Sequence, residues 1–460
     1  MVRKSDVQVA HVSVTFSSER NRTPLQIGHE ITTDYVLCRA SLEVASKERK
    51  TALGVGETPL AVVWAWPSKL GYKVREDRMK EFCTVLCDAW NEVSFSGHPM
   101  EIGHTFLCQR LRPLLSQANK RHPDEEPMPY LAALVCNSLF DLALYDAYGN
   151  LWNIGVFDSF TSEYMNHDLA WYFGDSYATM FARKYPVEFL VPREKVPDRL
   201  PVWHLVGGAD ALEKEDLVGD EPLDGYPVVL RDWIVRDGLQ CLKIKLRGTD
   251  EAWDFNRIVR VGEICNDLGV VHLSVDFNCT VQDPAYVCRI LDDLEDTHNR
   301  IWKKILYVEQ PFPYDIGADP MDVHSVSSRK PLFMDESAHD WRFLELGVRL
   351  GWTGVALKTC KTLTGAMLMC CFGKMHHMSM MVQDLTNPAL AIIPHVLLAA
   401  NVGTVMGVEA NSMQFCPEAS LRESAVHPGL FRRRSGVLDL SSLGKSGFGY
   451  RLDEIERKRG

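Results

Sequence analysis

Cys241-Leu242-Lys243-Ile244-Lys245-Leu246 alternates apolar and basic side chains. Such alternation marks a strand with two unlike faces, so Lys243 and Lys245 project together and the aliphatic residues pack on the other side. Outward from this run, short apolar stretches return at intervals long enough to hold a helix. They are Val202–Val206 before it, then His272–Phe277, Ile305–Val308, Leu332–Met334, Gly354–Leu357, Met378–Val382 and Val405–Val408. Strands alternating with helices build a parallel sheet covered by helices. An open doubly wound sheet gives the same alternation, but eight repeats over roughly 210 residues favour closure into an α/β protein with a (β/α)8 TIM-type barrel.

In a barrel of this kind functional side chains stand at the carboxyl ends of the strands. The ends read Lys243-Ile-Lys245, Asp276-Phe-Asn278, Glu309-Gln-Pro311, Asp335-Glu-Ser337 and Lys358 on five successive strands. Each residue alone reads as a rim ion pair; the ordered set reads as a site. Inward ammonium groups are costly to bury without opposite charge, which the three acids supply in the same layer. Asp276, Glu309 and Asp335 also form an oxygen cage suited to a hard divalent cation, Mg²⁺ with Mn²⁺ as a substitute. Asn278 and Gln310 stand where they can support that shell. Glu336 is expected to point away from Asp335, and Lys361, one helical turn past Lys358, to be solvated or to cap a helix.

Before the barrel, residues 8–17 and 35–46 alternate as strands and a third short run leads into Gly54-Val-Gly-Glu57. From residue 75 the period becomes helical, so 1–150 read as an α+β domain and 201–417 as the barrel. Between them, 151–200 hold Trp152, Phe157, Phe160, Tyr164, Trp171, Tyr172, Phe173 and Tyr177. That aromatic density predicts a homo-oligomer contact ahead of a lid over the barrel mouth.

The strand-end series resembles the enolase superfamily, and within it the muconate-lactonizing-enzyme-like (mandelate racemase/muconate lactonizing enzyme) group. That group carries Lys-x-Lys on strand two, metal carboxylates on strands three to five and a lysine on strand six. Gly56-Glu-Thr-Pro59, the helix around Asp141-Leu-Ala-Leu-Tyr-Asp146 and the segment after residue 417 are similar to its capping domain. The resemblance implies that 418–460 complete the domain of residues 1–150. It also implies Mg²⁺-dependent removal of the proton α to a substrate carboxylate through an enediolate. Lys245 and Lys358 would then be catalytic on opposite faces of the carbon, with Lys243 holding the carboxylate. The expected reaction is that of a racemase, epimerase or cycloisomerase. The alternatives are β-elimination by a lyase (a dehydratase or synthase) and a non-catalytic carboxylate-binding barrel. Arg22-Thr23-Pro24 matches a loop that covers the site in relatives, which assigns Arg22 and Thr23 to the far end of the substrate.

Two strand ends depart from relatives. Strand seven ends in Gln383-Asp384 where mandelate-racemase-like members carry a histidine, which disfavours sugar-acid dehydration. Strand eight reads Gly407-Val-Glu409-Ala-Asn411 where dipeptide epimerases carry Asp-x-Asp, which argues against a dipeptide. Asp384, Glu409 and Asn411 become the candidates for substrate contact.

Composition narrows the partners. The formal net charge is −11 with scattered Lys and Arg, which leaves no footprint for nucleic acid. Leu131–Tyr148 is apolar but interrupted by Asn137 and Asp141, which suits a buried helix better than a membrane. Thirteen cysteines without a CxxC pair, and no signal-like start, predict reduced thiols in a cytoplasmic enzyme acting on a small carboxylic acid.

Overall fold

The structure, a computed structural model, describes residues 3–27 and 30–458. It opens with an antiparallel sheet in the order β1 (Val7–Ile27), β2 (Glu30–Ser46), β3 (Thr51–Pro59). β1 continues well past the alternating residues that predict it. Its ladder with β2 is interrupted by a bulge between Arg20 and Leu25, within a polar stretch that carries no strand period. One face of the sheet, including Val12, Val36, Ala40 and Leu42, packs on the helix Tyr130–Trp152. Approach is so close that a Cβ added to Gly56 would lie 2.0 Å from the Leu139 carbonyl oxygen. The helix is apolar on all sides because it is covered on all sides: 94% of its most apolar stretch is buried.

Eight parallel strands follow: β4 (Arg199–Val206), β5 (Cys241–Lys245), β6 (His272–Asp276), β7 (Ile305–Glu309), β8 (Leu332–Met334), β9 (Gly354–Leu357), β10 (Ser379–Val382) and β11 (Val408–Glu409). Val408 pairs with Val202, and the Val405 amide donates to the Met380 carbonyl at 2.8 Å, so the ring closes. β11 starts later than the sequence predicts. Gly407 adopts a left-handed φ of +53° against the β4 backbone, and any Cβ there would lie 1.8 Å from the Pro201 oxygen. Inside the barrel Trp203, Cys241, Tyr307, Phe333 and Met381 form one packed layer, with Tyr307 stacked on Phe333 at 4.4 Å.

Residues 151–200 run as short helical turns over the outside of the barrel towards the start of β4. Phe173 meets the rings of Trp341 and Phe372 at 5.0 and 5.7 Å, and Phe160 and Phe181 are fully buried. Intramolecular packing takes up Phe160, Phe173 and Phe181 while Trp171 stays exposed, and this segment contributes no residue to the pocket described below. After the barrel, β12 (Val437–Asp439) runs antiparallel to the first residues of β4. Beyond it the Phe448 amide donates to Asp146 on the central cap helix at 2.9 Å, which ties the end of the chain to its beginning.

Candidate active site

Period-two geometry builds the floor of the site. The residues two beyond the interior layer are Leu205, Lys243, Glu309, Asp335 and Gln383, so each stands one layer above it at the barrel mouth. Register completes the row: Lys245 pairs with Asp276, and Asp276 with Glu309, across adjacent strands. Lys245 and Lys358 leave β5 and β9, four strands apart in a ring of eight, and both line one pocket.

Lys243 is the most heavily engaged group. Its Nζ donates to Glu309 Oε1 at 2.6 Å, to Gln383 Oε1 at 3.1 Å and to Glu409 Oε2 at 3.2 Å, and lies 3.2 Å from Asp276 Oδ2. Burial opposes its charge, but Glu309, Glu409 and Asp276 prevail and hold the ammonium well above the ordinary lysine value. Lys245 Nζ donates to Asp276 Oδ2 at 2.5 Å. Lys358 Nζ donates to the Asp384 carbonyl at 2.8 Å, lies 3.2 Å from Asp335 Oδ2 and sits 4.9 Å from the ring centre of Trp64. Burial works against its charge too, and Asp335 holds it above the ordinary value.

Lys361 corrects the sequence reading. It is fully buried, and its Nζ donates to the Asp335 carbonyl at 2.5 Å and to Asp335 Oδ1 at 3.0 Å, neither solvated nor capping a helix. Glu336 is also buried and accepts from Trp64 Nε1 at 2.9 Å, joining cap to barrel. Asn278 and Gln310 sit beside the acids. The Asn278 amide donates to Asp276 Oδ1 at 2.8 Å, and Gln310 Oε1 accepts from the Asp335 amide at 2.7 Å.

Asp276, Glu309 and Asp335 supply only hard oxygen donors. Among the described residues, however, no three acidic, histidine or cysteine side chains converge on one point, because each carboxylate turns to a lysine. Charge still leaves room for a cation. Six buried carboxyl groups, at 276, 309, 335, 336, 384 and 409, face the four lysines 243, 245, 358 and 361, a formal excess of two acids whose ionisation crowding resists. Burial, with Asp276, Asp335 and Glu409 nearby, pushes Glu309 well above the carboxylate range against the pull of Lys243. Asp276 shows the reverse: although buried, it is held below that range by Lys245 and Lys243. The donor set and the excess of acids fit a divalent ion.

The remaining strand ends are occupied inwardly. Asp384 accepts from the amides of Leu385, Asn387 and Asn411. Glu409 accepts from Asn411 Nδ2 at 2.7 Å and from the Asp384 amide at 3.0 Å. Both line the pocket together with Asn411. Arg22 does not line it: its guanidinium grips Asp224 at 2.5 and 2.9 Å and donates to the Pro227 and Gln414 carbonyls. Thr23 lies beside it, half-buried and also outside the lining.

The cap closes the pocket with Asn21, Leu25, Tyr35, Val62, Val63, Trp64 and Tyr72, none of which the sequence singles out. It is docked on the barrel next to Lys358, where Asp141 accepts from the Thr364 amide and hydroxyl at 3.0 and 2.7 Å at the start of the helix Leu363–Met375. Gln383 was also missed, although it shares a strand end with Asp384 and the period-two argument finds it.

No family model matches the sequence, and no curated protein is significantly similar to it. Solved structures are similar in fold. The L-Ala-D/L-Glu epimerase from Bacillus subtilis is 16% identical, with a TM-score of 0.59 over 88% of this chain and 89% of its own. A dipeptide epimerase from Enterococcus faecalis, solved with Mg and L-Leu-L-Tyr, is 15% identical, with a TM-score of 0.60 over 96% and 99%. A mandelate racemase/muconate lactonizing protein from Herpetosiphon aurantiacus is 14% identical, with a TM-score of 0.59 over 96% and 98%. The neighbours belong to the mandelate racemase/muconate lactonizing enzyme group, and the chain has their fold, barrel and cap together.

Proposed function

We propose that the chain is an enzyme of that group which works through the anion α to a carboxylate. As a racemase or epimerase it removes the α proton and returns one, and as a cycloisomerase it adds or removes that proton as a ring bond closes or opens. The observation that carries this reading is the pair Lys245 and Lys358, two amines facing one pocket from opposite strands above a floor of carboxylates. Asp276, Glu309 and Asp335 would hold Mg²⁺, which when bound offsets the negative charge that develops on the substrate carboxylate.

The chain's own residues do the rest. Lys243, locked by Glu309, Gln383 and Glu409, presents fixed positive charge below the substrate carboxylate. One pocket amine takes the α proton on its Nζ, and the opposite ammonium returns a proton to the other face of the planar anion, inverting the centre. Trp64 lies over Lys358 and keeps bulk water from it, so that its proton goes to the substrate carbon. The test is to incubate the protein with Mg²⁺ in D₂O against a library of carboxylic acids and follow the α proton by NMR. Loss of that signal in at least one acid is expected; no exchange in any acid that binds would refute the reading.

A further inference from the structure

We propose that Lys330, at the end of the barrel away from the pocket, is an acylation site whose Nζ takes a small neutral acyl group, such as acetyl, from a thioester. The inference is independent of the proposed function.

Among the described residues four lysines are buried: Lys243, Lys330, Lys358 and Lys361. Three of them have a carboxylate beside the Nζ. Lys330 does not. It precedes Pro331 and β8, so it lies at the amino ends of the strands, whereas the pocket opens at their carboxyl ends. The backbone is fixed there: the Lys330 amide donates to the Val326 carbonyl at 3.2 Å, and the Pro331 carbonyl accepts from the Val308 amide at 2.9 Å. The side chain is 8% exposed, and its Nζ sits 3.5 Å from the centre of the Trp302 ring.

No hydrogen bond or ion pair reaches that Nζ among the described residues. Arg329, its neighbour in the chain, is held by Asp292 at 2.6 and 2.8 Å. Glu295, exposed on the helix Pro284–Thr297, attracts the amine from beyond ion-pair distance. An ammonium stripped of water and left unpaired is costly, and the pull of one indole face is weak beside that cost. Burial accordingly lowers the amine to about 8 against the pull of Glu295. A desolvated amine that gives up its proton this readily is a nucleophile, whereas an ammonium is not.

The product suits the same surroundings. The Nζ–carbon bond of the amide forms as the carbon–sulfur bond of the thioester breaks, and the proton lost by Nζ leaves with the thiol. The charge that burial opposes is then gone. Trp302 Nε1 on the same indole is buried without an acceptor, so donors alone meet at this spot, and the new carbonyl brings an acceptor to it. An acyl group ending in a carboxylate would instead set a negative charge in low dielectric near Glu295, which favours a neutral one.

The test treats the intact folded protein with a limiting amount of a small acetyl thioester, S-acetyl-N-acetylcysteamine, beside a short lysine peptide as standard. Acetylation of the peptide that contains Lys330 is followed by mass spectrometry as the pH is raised. Its rate constant should be half-maximal near pH 8 and then level off, while the standard goes on rising towards about pH 10.4. The matching succinyl thioester, with each rate taken relative to the standard, should react at Lys330 at least about threefold more slowly than the acetyl thioester. A Lys330 profile that follows the standard, no acetylation of Lys330 in the folded protein, or equal use of the succinyl thioester would overturn the inference.

Discussion

The floor and the wall of the pocket are built on opposite plans. The floor is charge held by charge: Lys243 touches three carboxylates, and Asp335 is shared by Lys358 and Lys361. The wall is largely apolar surface from the cap. A buried charge network tolerates almost no substitution, because losing one member leaves another uncompensated. An apolar wall repacks at modest cost. On the proposed function, the floor would hold one chemistry constant while the wall sets which acid is accepted.

The largest effects should come from the floor. Lys245→Ala or Lys358→Ala should lower turnover at least about a thousandfold while Mg²⁺ binding, read by calorimetry, persists. Full activity in either variant would separate the floor from the chemistry. Chelation with EDTA should abolish α-proton exchange and lower the melting temperature, and added Mg²⁺ should restore both, because an ion bound only by the folded state stabilises it. An unchanged melting temperature and full exchange after chelation would mean that the two excess acids are balanced in another way.

Smaller effects should come from the wall. Trp64→Phe keeps a ring but loses the bond to Glu336, so KM should rise about three- to tenfold with kcat within about twofold, read from initial rates. A collapse of kcat with unchanged KM would place Trp64 with the floor instead.

An effect on stability alone, with no change in the chemistry, lies outside the pocket. Burial lowers His98 to about 3 from 6.5. The unfolded chain therefore takes up a proton that the folded protein refuses, and stability should fall by roughly 1.4 kcal/mol per unit as the pH drops from 6.5 towards 3. His98→Asn, which retains an acceptor for the Met100 amide, should flatten that slope in urea titrations. An identical slope in the variant would assign acid sensitivity to other groups.

How much of this was legible follows the same division. Lys243, Lys245, Asp276, Glu309, Asp335 and Lys358 could be read because strand ends recur and side chains alternate, so spacing alone aligns them. Lys361 could not, since whether a lysine one turn along is solvated or buried depends on how the helix Leu363–Met375 begins, and there the chain turns inward to Asp335. Arg22 looked free in a polar loop, and its partner Asp224 lies 202 residues away. Asn21, Tyr35 and Trp64 reach the pocket only through a bulge, a register and a docked domain, none of which has a period in the sequence. The aromatic run of 151–200 reads as an oligomer contact ahead of a lid, and what the sequence does not reveal is that Phe173 packs on Trp341 and Phe372 of the same chain.

The most direct test is α-deuterium exchange in each separate enantiomer of an acid found by the D₂O screen, measured in Lys245→Ala and Lys358→Ala. Two amines serving opposite faces predict that each variant keeps exchange from one enantiomer and loses it from the other, with the lost enantiomers differing between variants. Exchange of both enantiomers at the unmodified rate in either variant would contradict the account.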